Sequence, residues 1–255
     1  MSRQPPPRDV APVAFRARLR YSKGGRLRFA STRDFQRSLE RAIRRAQLPI
    51  AFSAGFSPHP KISYTNSVPT GAGSDAEYVE LGLTERVEPE VVQQSLNASL
   101  PEGFRVREVV PAATSDFASR LEASTWRIEL PGVAVASAAD AVARLLGQER
   151  VIVERVTKKG TRELDVRAAI LALTTAPADA GRNAEESECA ILHMVVRHTT
   201  PAVRPNDVLT ALKQAGGLET PQAPRTWRRS QGPLSEDGIT IGDPLAPDRT
   251  LASGS

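Results

Sequence analysis

Val13-Ala-Phe-Arg-Ala-Arg-Leu-Arg-Tyr21 alternates apolar and basic residues with a period of two. Successive side chains of a strand point to opposite faces, so Val13, Phe15, Ala17, Leu19 and Tyr21 share one side and Arg16, Arg18 and Arg20 the other. The apolar side predicts a core-facing strand surface, and the arginine side an exposed one. Ser22-Lys23-Gly24-Gly25 is a turn signal, after which residues 26–30 either extend the strand as a hairpin or lead into a helix. Ser31 with Asp34 forms a capping-box pattern and predicts a helix from there to about Ala46. Phe35, Leu39, Ala42, Ile43 and Ala46 recur at helical spacing and form its core side, while Arg33, Arg37, Arg41, Arg44 and Arg45 cluster opposite, with Glu40 as the nearby acid. Such a face repels itself unless an anion is bound, and an RNA backbone would serve.

Downstream, two strand-like runs at 49–53 and 61–64 flank Gly55-Phe-Ser-Pro-His-Pro60. Gly55 permits unusual backbone angles, and Pro58 and Pro60 stiffen the loop around His59. A strand is predicted over 76–83. Glu88-Pro-Glu90 opens a helix with Val91, Val92, Leu96 and Leu100 on its apolar side, and another strand is predicted over 104–110. Strand, helix, strands, helix, strand over about a hundred residues predicts a ferredoxin-like α+β unit. The pattern then partly repeats: strand 126–130, helix 137–146 with Ala138, Ala141, Val142 and Leu145 inward, strand 150–156, and a turn at Lys158-Lys-Gly160 into 162–173. A polar acidic loop follows at 176–188, then strand 190–198, a helix from Arg204-Pro-Asn-Asp207 to Gly216-Gly217, and a final strand before the end. The fold expected is therefore α+β, two ferredoxin-like (βαββαβ) units packed side by side: a disordered tail 1–12, a basic domain 13–112, a second domain 124–235 and a tail 236–255.

Charge supports a division of labour. Residues 1–60 carry 13 Lys and Arg against 3 Asp and Glu, and the remainder 21 against 26, so the first part is about +10 and the rest about −5. Such polarisation suits a polyanion-binding face, since Lys and Arg contacts to phosphates supply most sequence-independent affinity for nucleic acid. The plainer reading is a solvated basic surface. Hydrophobic content of 40% with 25% charged residues describes an ordinary soluble protein, and no apolar run of ~18 residues predicts a membrane span. The polar, proline-rich start lacks the apolar core of a secretory signal and reads as a lead-in to a cytoplasmic protein.

The single cysteine, Cys189, excludes an internal disulfide and an all-cysteine metal or iron–sulfur site from one chain. Of three histidines, His193 in an apolar run reads as buried or half-buried and His198 as solvent-facing. Neither a metal site nor a cofactor is expected. His59 has two readings: a general acid or base, or phosphate contact, with Lys61 as its phosphate-stabilising neighbour; or a residue that only shapes the turn. Asp75, Glu77 and Glu80 could assist it only if the fold brings them there. The candidate nucleic-acid contacts are Arg16, Arg18, Arg20, Lys23, Arg33, Arg37, Arg41, Arg44, Arg45, His59 and Lys61. Tyr21, Phe29, Phe52, Phe56 and Tyr64 lie in the same basic region, where any exposed ring could stack a base, although core positions are the ordinary use of such residues.

Tyr21-Ser-Lys-Gly24, Phe29-x-Ser31-x-x-Asp34-Phe35, Arg41-Ala-x-Arg44-Arg45-Ala46, Gly55-Phe-Ser-Pro-His-Pro-Lys-Ile-Ser63 and Glu77-Tyr78 resemble motifs of the bacterial radical-SAM-linked protein family. The likeness continues through Asp165-Val-Arg167, Arg197-His-Thr-Thr-Pro201-x-x-Arg204-Pro-x-Asp207 and Gln231-Gly-Pro-Leu234. The resemblance implies a partner in RNA metabolism, a radical SAM protein or ribonuclease E/G. Thr32 stands where the family usually has histidine, so a two-histidine site with His59 does not carry over. Thr226-Trp-Arg-Arg-Ser-Gln231 also departs from the family pattern. The leading expectation is an RNA-binding accessory protein acting with a separate modifying or processing enzyme. The alternatives are a metal-independent RNA-cleaving or RNA-modifying enzyme using His59, and a protein–protein adaptor with an acidic second half.

Overall fold

The computed structural model describes residues 10–157, 160–178 and 188–253. The start of the leading tail (1–9), Lys158 and Lys159 of the expected turn, and 179–187 of the expected acidic loop lie outside the described residues. The chain is a mixed α and β protein in two compact units. One holds the residues up to Ala118 together with those from Pro244 onward, and the other runs from Ser119 to Asp243.

In the first unit, β1 (Phe15–Lys23) is followed by a 3-10 turn, Gly25–Phe29, which leads into α1 (Thr32–Arg45). Then come β2 (Ile62–Thr65), β3 (Gly73–Leu83), α2 (Pro89–Ser99) and β4 (Phe104–Pro111). The strands lie in the order β4-β1-β3-β2 with every neighbouring pair antiparallel. Helix α1 starts where the capping box places it. Ser31 Oγ accepts the Asp34 N–H at 3.2 Å and Asp34 Oδ2 accepts the Ser31 N–H at 2.9 Å, so two amides that the helix cannot satisfy itself are paired. Ser31→Ala is expected to cost about 1 kcal/mol, read as a shift in the urea midpoint at unchanged slope.

The core forms on the side of β1 that alternation assigns to it. Ala17, Leu19 and Tyr21 are buried with Phe35, Leu39, Ala42 and Ile43 of α1 and Val92 and Leu96 of α2. Tyr21 and Phe35 stack at 4.0 Å between ring centroids, and Phe104 meets Phe35 edge-on at 4.9 Å. Of the apolar residues expected on the inner side of α2, Val91 is exposed.

The other side of β1 is not open. The segment expected as a tail from 236 instead closes with α6 (Ala246–Ser253), which belongs to the first unit. Asp248, fully buried, reaches Arg18, which is only 5% exposed. Arg18 Nη1 donates to both carboxylate oxygens at 2.8 Å, and Thr114 donates its N–H (2.9 Å) and hydroxyl (2.6 Å) to Asp248 Oδ1. Burial by itself would raise the Asp248 pKa, but the Thr114 hydroxyl and the Arg18 guanidinium outweigh it and hold the carboxyl below its ordinary value.

In the second unit, β5 (Ala123–Pro131), α3 (Val135–Leu146), β8 (Ile170–Pro177), β9 (Cys189–Arg197), α5 (Pro205–Gly216) and β10 (Arg225–Gly232) give strands in the order β10-β5-β9-β8, again antiparallel throughout. The inward residues expected on α3 are all buried. Gly216 is required for its packing against α5, since a Cβ there would stand 2.7 Å from the Ala141 carbonyl oxygen. The run expected as the second strand of this unit forms instead a separate hairpin, β6 (Ile152–Thr157) with β7 (Gly160–Asp165). The continuous run expected over 162–173 breaks because Asp165 Oδ1 accepts the Ala168 N–H and caps the short turn α4 (Val166–Ala169), after which β8 begins.

Both histidines of this unit depart from expectation. His193 is exposed, because β9 alternates and places it with Arg197 away from the buried Leu192, Met194 and Val196. His198 is half-buried, with Nδ1 2.6 Å from the Leu121 carbonyl and Nε2 3.1 Å from Ser124 Oγ, which in turn accepts the Trp126 Nε1–H at 2.8 Å. A neutral ring with the proton on Nδ1 satisfies this chain of bonds. Burial lowers the His198 pKa, the Leu121 carbonyl opposes that shift, and the Arg228 charge adds to it. The unfolded chain therefore takes up the proton first, so stability from this group is complete above about pH 6.5 and is lost as pH falls towards the lower folded value. His198→Gln is expected to flatten the decline of the urea midpoint between about pH 7 and 5.

Candidate nucleic-acid interface

The arginines of the first unit fall into two groups with opposite electrostatics. On β1 every arginine has a carboxylate. Arg16 and Arg18 each bond Glu80 at 2.9 Å, and Arg20 lies 3.6 Å from Glu108. The strand register causes this, since Arg18 faces Glu80 on β3 and Arg20 faces Glu108 on β4. Arg18 is also sealed by Asp248, so it is not available as the exposed contact that alternation predicts. Lys23 is removed for a different reason: the register shifts between Tyr21 and Lys23, Lys23 is buried, and its Nζ donates to the Ala30 carbonyl at 2.7 Å.

On α1 the situation is reversed. Arg33, Arg37, Arg41, Arg44 and Arg45 are all exposed, and among the described residues none of them forms an ion pair. Arg33, Arg37, Arg41 and Arg45 stand four apart, so they form a sloping stripe about 18 Å long at ~1.5 Å per residue. Like charges at that spacing destabilise a helix by ~0.2–0.5 kcal/mol per pair, about 1 kcal/mol for the three pairs, partly offset because Arg44 and Arg45 sit in the last turn. Arg41 Nη2 contacts Ser38 Oγ at 3.3 Å, and Ser38, Arg41 and Arg45 line a groove of about 430 Å³ whose far wall is Ala98 to Pro101 at the end of α2. The Ser31 hydroxyl and backbone amide, with Arg37 adding its charge, hold the exposed Asp34 carboxyl below its ordinary value.

Helix α1 passes directly into the loop that carries His59. The Leu48 N–H bonds the Ile43 carbonyl at 3.2 Å, and Thr84 returns an N–H to Pro49 at 2.8 Å. The loop is closed at its neck by Ser53 N–H to His59 C=O at 2.8 Å and His59 N–H to Ser53 Oγ at 3.0 Å. Its base is stapled to β3: Ala51 N–H to Gly82 C=O and Gly82 N–H to Lys61 C=O, both 2.8 Å. Gly82 allows this approach, because a Cβ there would lie 3.1 Å from Val13 and 3.3 Å from Lys61. The strand-like run expected at 49–53 reduces to isolated pairings, Ile50 with Leu83 and Phe52 with Pro60, whereas the run expected at 61–64 forms β2.

His59 and Lys61 are both exposed, and among the described residues neither side chain makes a hydrogen bond or ion pair. Two of the expected acids are engaged elsewhere: Glu77 is buried and accepts the Val68 N–H at 2.9 Å, and Glu80 is held by Arg16 and Arg18. Among the described residues no three His, Cys, Asp or Glu side chains converge. What sequence reasoning understated is the exposure of Phe52 (40%) and Phe56 (62%). Their neighbours, Gly55, Pro58 and Pro60, are the signal for it, since a segment this short and constrained cannot fold back to cover its own rings.

A family model described as an uncharacterized protein conserved in bacteria (DUF2344) matches residues 16–205. The chain belongs to this family. The DUF2344 match takes in β1, α1 and the His59 loop and leaves β10 and α6 outside. No curated protein matches. Among solved structures, an unknown protein from Galdieria sulphuraria is 12% identical over 84% of this chain and 98% of its own, with a TM-score of 0.23. Two X-ray-generated forms of DtpA from Streptomyces lividans, an oxyferrous/water mixed complex and an oxyferrous complex, are 12% and 13% identical. They cover 91% and 94% of this chain and 93% and 95% of their own, with TM-scores of 0.22 and 0.23. Scores this low carry no argument about fold or function. Among the described residues no helix is long and apolar enough to cross a membrane.

Proposed function

We propose that this protein is an RNA-binding accessory factor that presents RNA to a separate modifying or processing enzyme. What supports the reading is the contrast between the two arginine groups: those on β1 are neutralised within the fold, and those on α1 are exposed and, among the described residues, form no ion pair. Five arginines against Asp34 and Glu40 leave α1 with an excess of positive charge, kept at a cost to the helix when an anion outside the protein offsets it. The contacts assigned are Arg33, Arg37, Arg41, Arg44, Arg45, His59 and Lys61. Arg16 and Arg20 are peripheral, and Arg18 and Lys23 are structural.

Each unit is read as a ferredoxin-like βαββαβ fold, supported by the matching strand orders, with the β6–β7 hairpin and α4 as an insertion in the second. The resemblance to radical-SAM-linked proteins makes a radical SAM protein or ribonuclease E/G the partner to seek, in the cytoplasm. Purified protein incubated with total RNA in the absence of divalent metal is expected to retain intact RNA. Cleavage lost in His59→Ala would instead make the chain an enzyme, and a protein partner recovered after thorough nuclease treatment, with no RNA bound, would make it an adaptor.

A further inference from the structure

Resting on the RNA-binding reading, we propose that the loop around His59 is a stacking platform for unpaired bases, so that the ligand is single-stranded RNA with its phosphates on α1 and its bases on Phe56 and Phe52. Large apolar side chains exposed together on a soluble protein mark a binding surface more often than chance exposure. Phe52 and Phe56 lie within five residues of one another on a loop closed at its neck. Gly55, with φ of +127°, sets the backbone turn immediately before Phe56.

The rings are free to take a ligand. Exposed Phe29 has its face covered by the Arg28 guanidinium, 4.6 Å from the ring centroid. Among the described residues, neither Phe52 nor Phe56 stacks on another ring or carries a cation. The loop is also stiff before anything binds, held by the bonds at Ser53, His59, Ala51, Lys61 and Gly82, so little freedom is left to lose on binding.

Charge complementarity decides the occupant. An apolar peptide groove would have no use for the exposed, unbridged arginines that lead into the loop, whereas a single-stranded polynucleotide offers a π-face and a phosphate per residue. In a duplex those faces are stacked on one another and cannot reach Phe56.

Fluorescence anisotropy with a labelled twelve-nucleotide single strand and a twelve-base-pair RNA duplex tests this. The wild type is expected to bind the single strand about tenfold or more tightly than the duplex. Phe52→Ala/Phe56→Ala is expected to lose that preference while keeping duplex affinity and salt dependence. Alanine at each stacked base typically costs on the order of tenfold. Phe56→Tyr should restore binding and Phe56→Leu should not, because the ring and not the apolar bulk is required. Thermal midpoints of the Phe56 variants should match wild type, and any lowering from Phe52→Ala, whose ring is partly covered, should leave the protein folded at the assay temperature. Equal affinity for both RNAs with no effect of the phenylalanine changes overturns the platform and leaves the RNA-binding reading standing. Absence of binding to either RNA overturns both. Loss of binding to anionic phospholipid vesicles in the alanine variant, with RNA affinity intact, overturns the platform in favour of a membrane-surface contact.

Discussion

Replacing Arg37, Arg41 and Arg44 together with glutamate is expected to weaken RNA binding by at least about a hundredfold near 0.1 M salt, because three phosphate contacts become repulsions. The urea midpoint of the same variant separates this result from loss of folding. The three positions are exposed, and the local pairs roughly balance: glutamate at 37 and 41 stands four residues from Arg33 and Arg45 and gains opposite-charge pairs, while glutamate at 37 and 44 meets Asp34 and Glu40 and loses others, each worth ~0.2–0.5 kcal/mol. The variant should therefore unfold at a urea concentration close to or slightly below that of wild type while binding far less RNA. Unchanged affinity would mean that the helix face is only a solvated basic surface.

Asp248→Ala is expected to be the most destabilising single change considered, at about 3–5 kcal/mol, since it leaves Arg18 buried with part of its charge uncompensated and removes the acceptor of two Thr114 bonds. Glu80 still bonds Arg18, which favours the lower end of that range. Replacing both partners, as Arg18→Met with Asp248→Leu, should recover most of the loss, because a buried ion pair costs more to break than to exchange for apolar groups. Urea unfolding of the three proteins checks this. The same carboxyl predicts an acid response: with its folded pKa below the ordinary ~3.9, its contribution is present above that value and disappears as pH falls through the folded one. This pair ties α6 to a β1 strand that lies inside the family match, although α6 itself lies outside it.

The elements most legible in the sequence are those set by near neighbours. Ser31 and Asp34 announce the start of α1, and the spacing of Phe35, Leu39, Ala42 and Ile43 gives its inner face, because capping and helical periodicity are local properties. The inner side of β1 is equally legible. What alternation cannot reveal is whether the polar side of a strand meets water or a second layer. Arg18 and Asp248, 230 positions apart, look like a surface arginine and a tail acid until the chain closes. Lys23 is hidden by a register shift, and His198 by bonds to Leu121 and Ser124 on a neighbouring segment. The β6–β7 hairpin carries the alternation of a sheet strand without joining the sheet of its unit. Within the candidate interface, the arginine face of α1 is readable from spacing, whereas the neutralisation of the β1 arginines depends on where Glu80 and Glu108 fall across the strands.

The most direct test of the central claim compares salt dependence across the two arginine groups. Neutral variants Arg37→Gln/Arg41→Gln/Arg44→Gln and Arg16→Gln/Arg20→Gln would be titrated with a single-stranded RNA at several salt concentrations. Loss of three phosphate contacts should flatten the slope of log affinity against log salt by roughly 2, at ~0.7 per contact on a single strand, while the β1 variant should keep the wild-type slope. Equal slopes for wild type and the α1 variant, or a larger change in the β1 variant, would contradict the account.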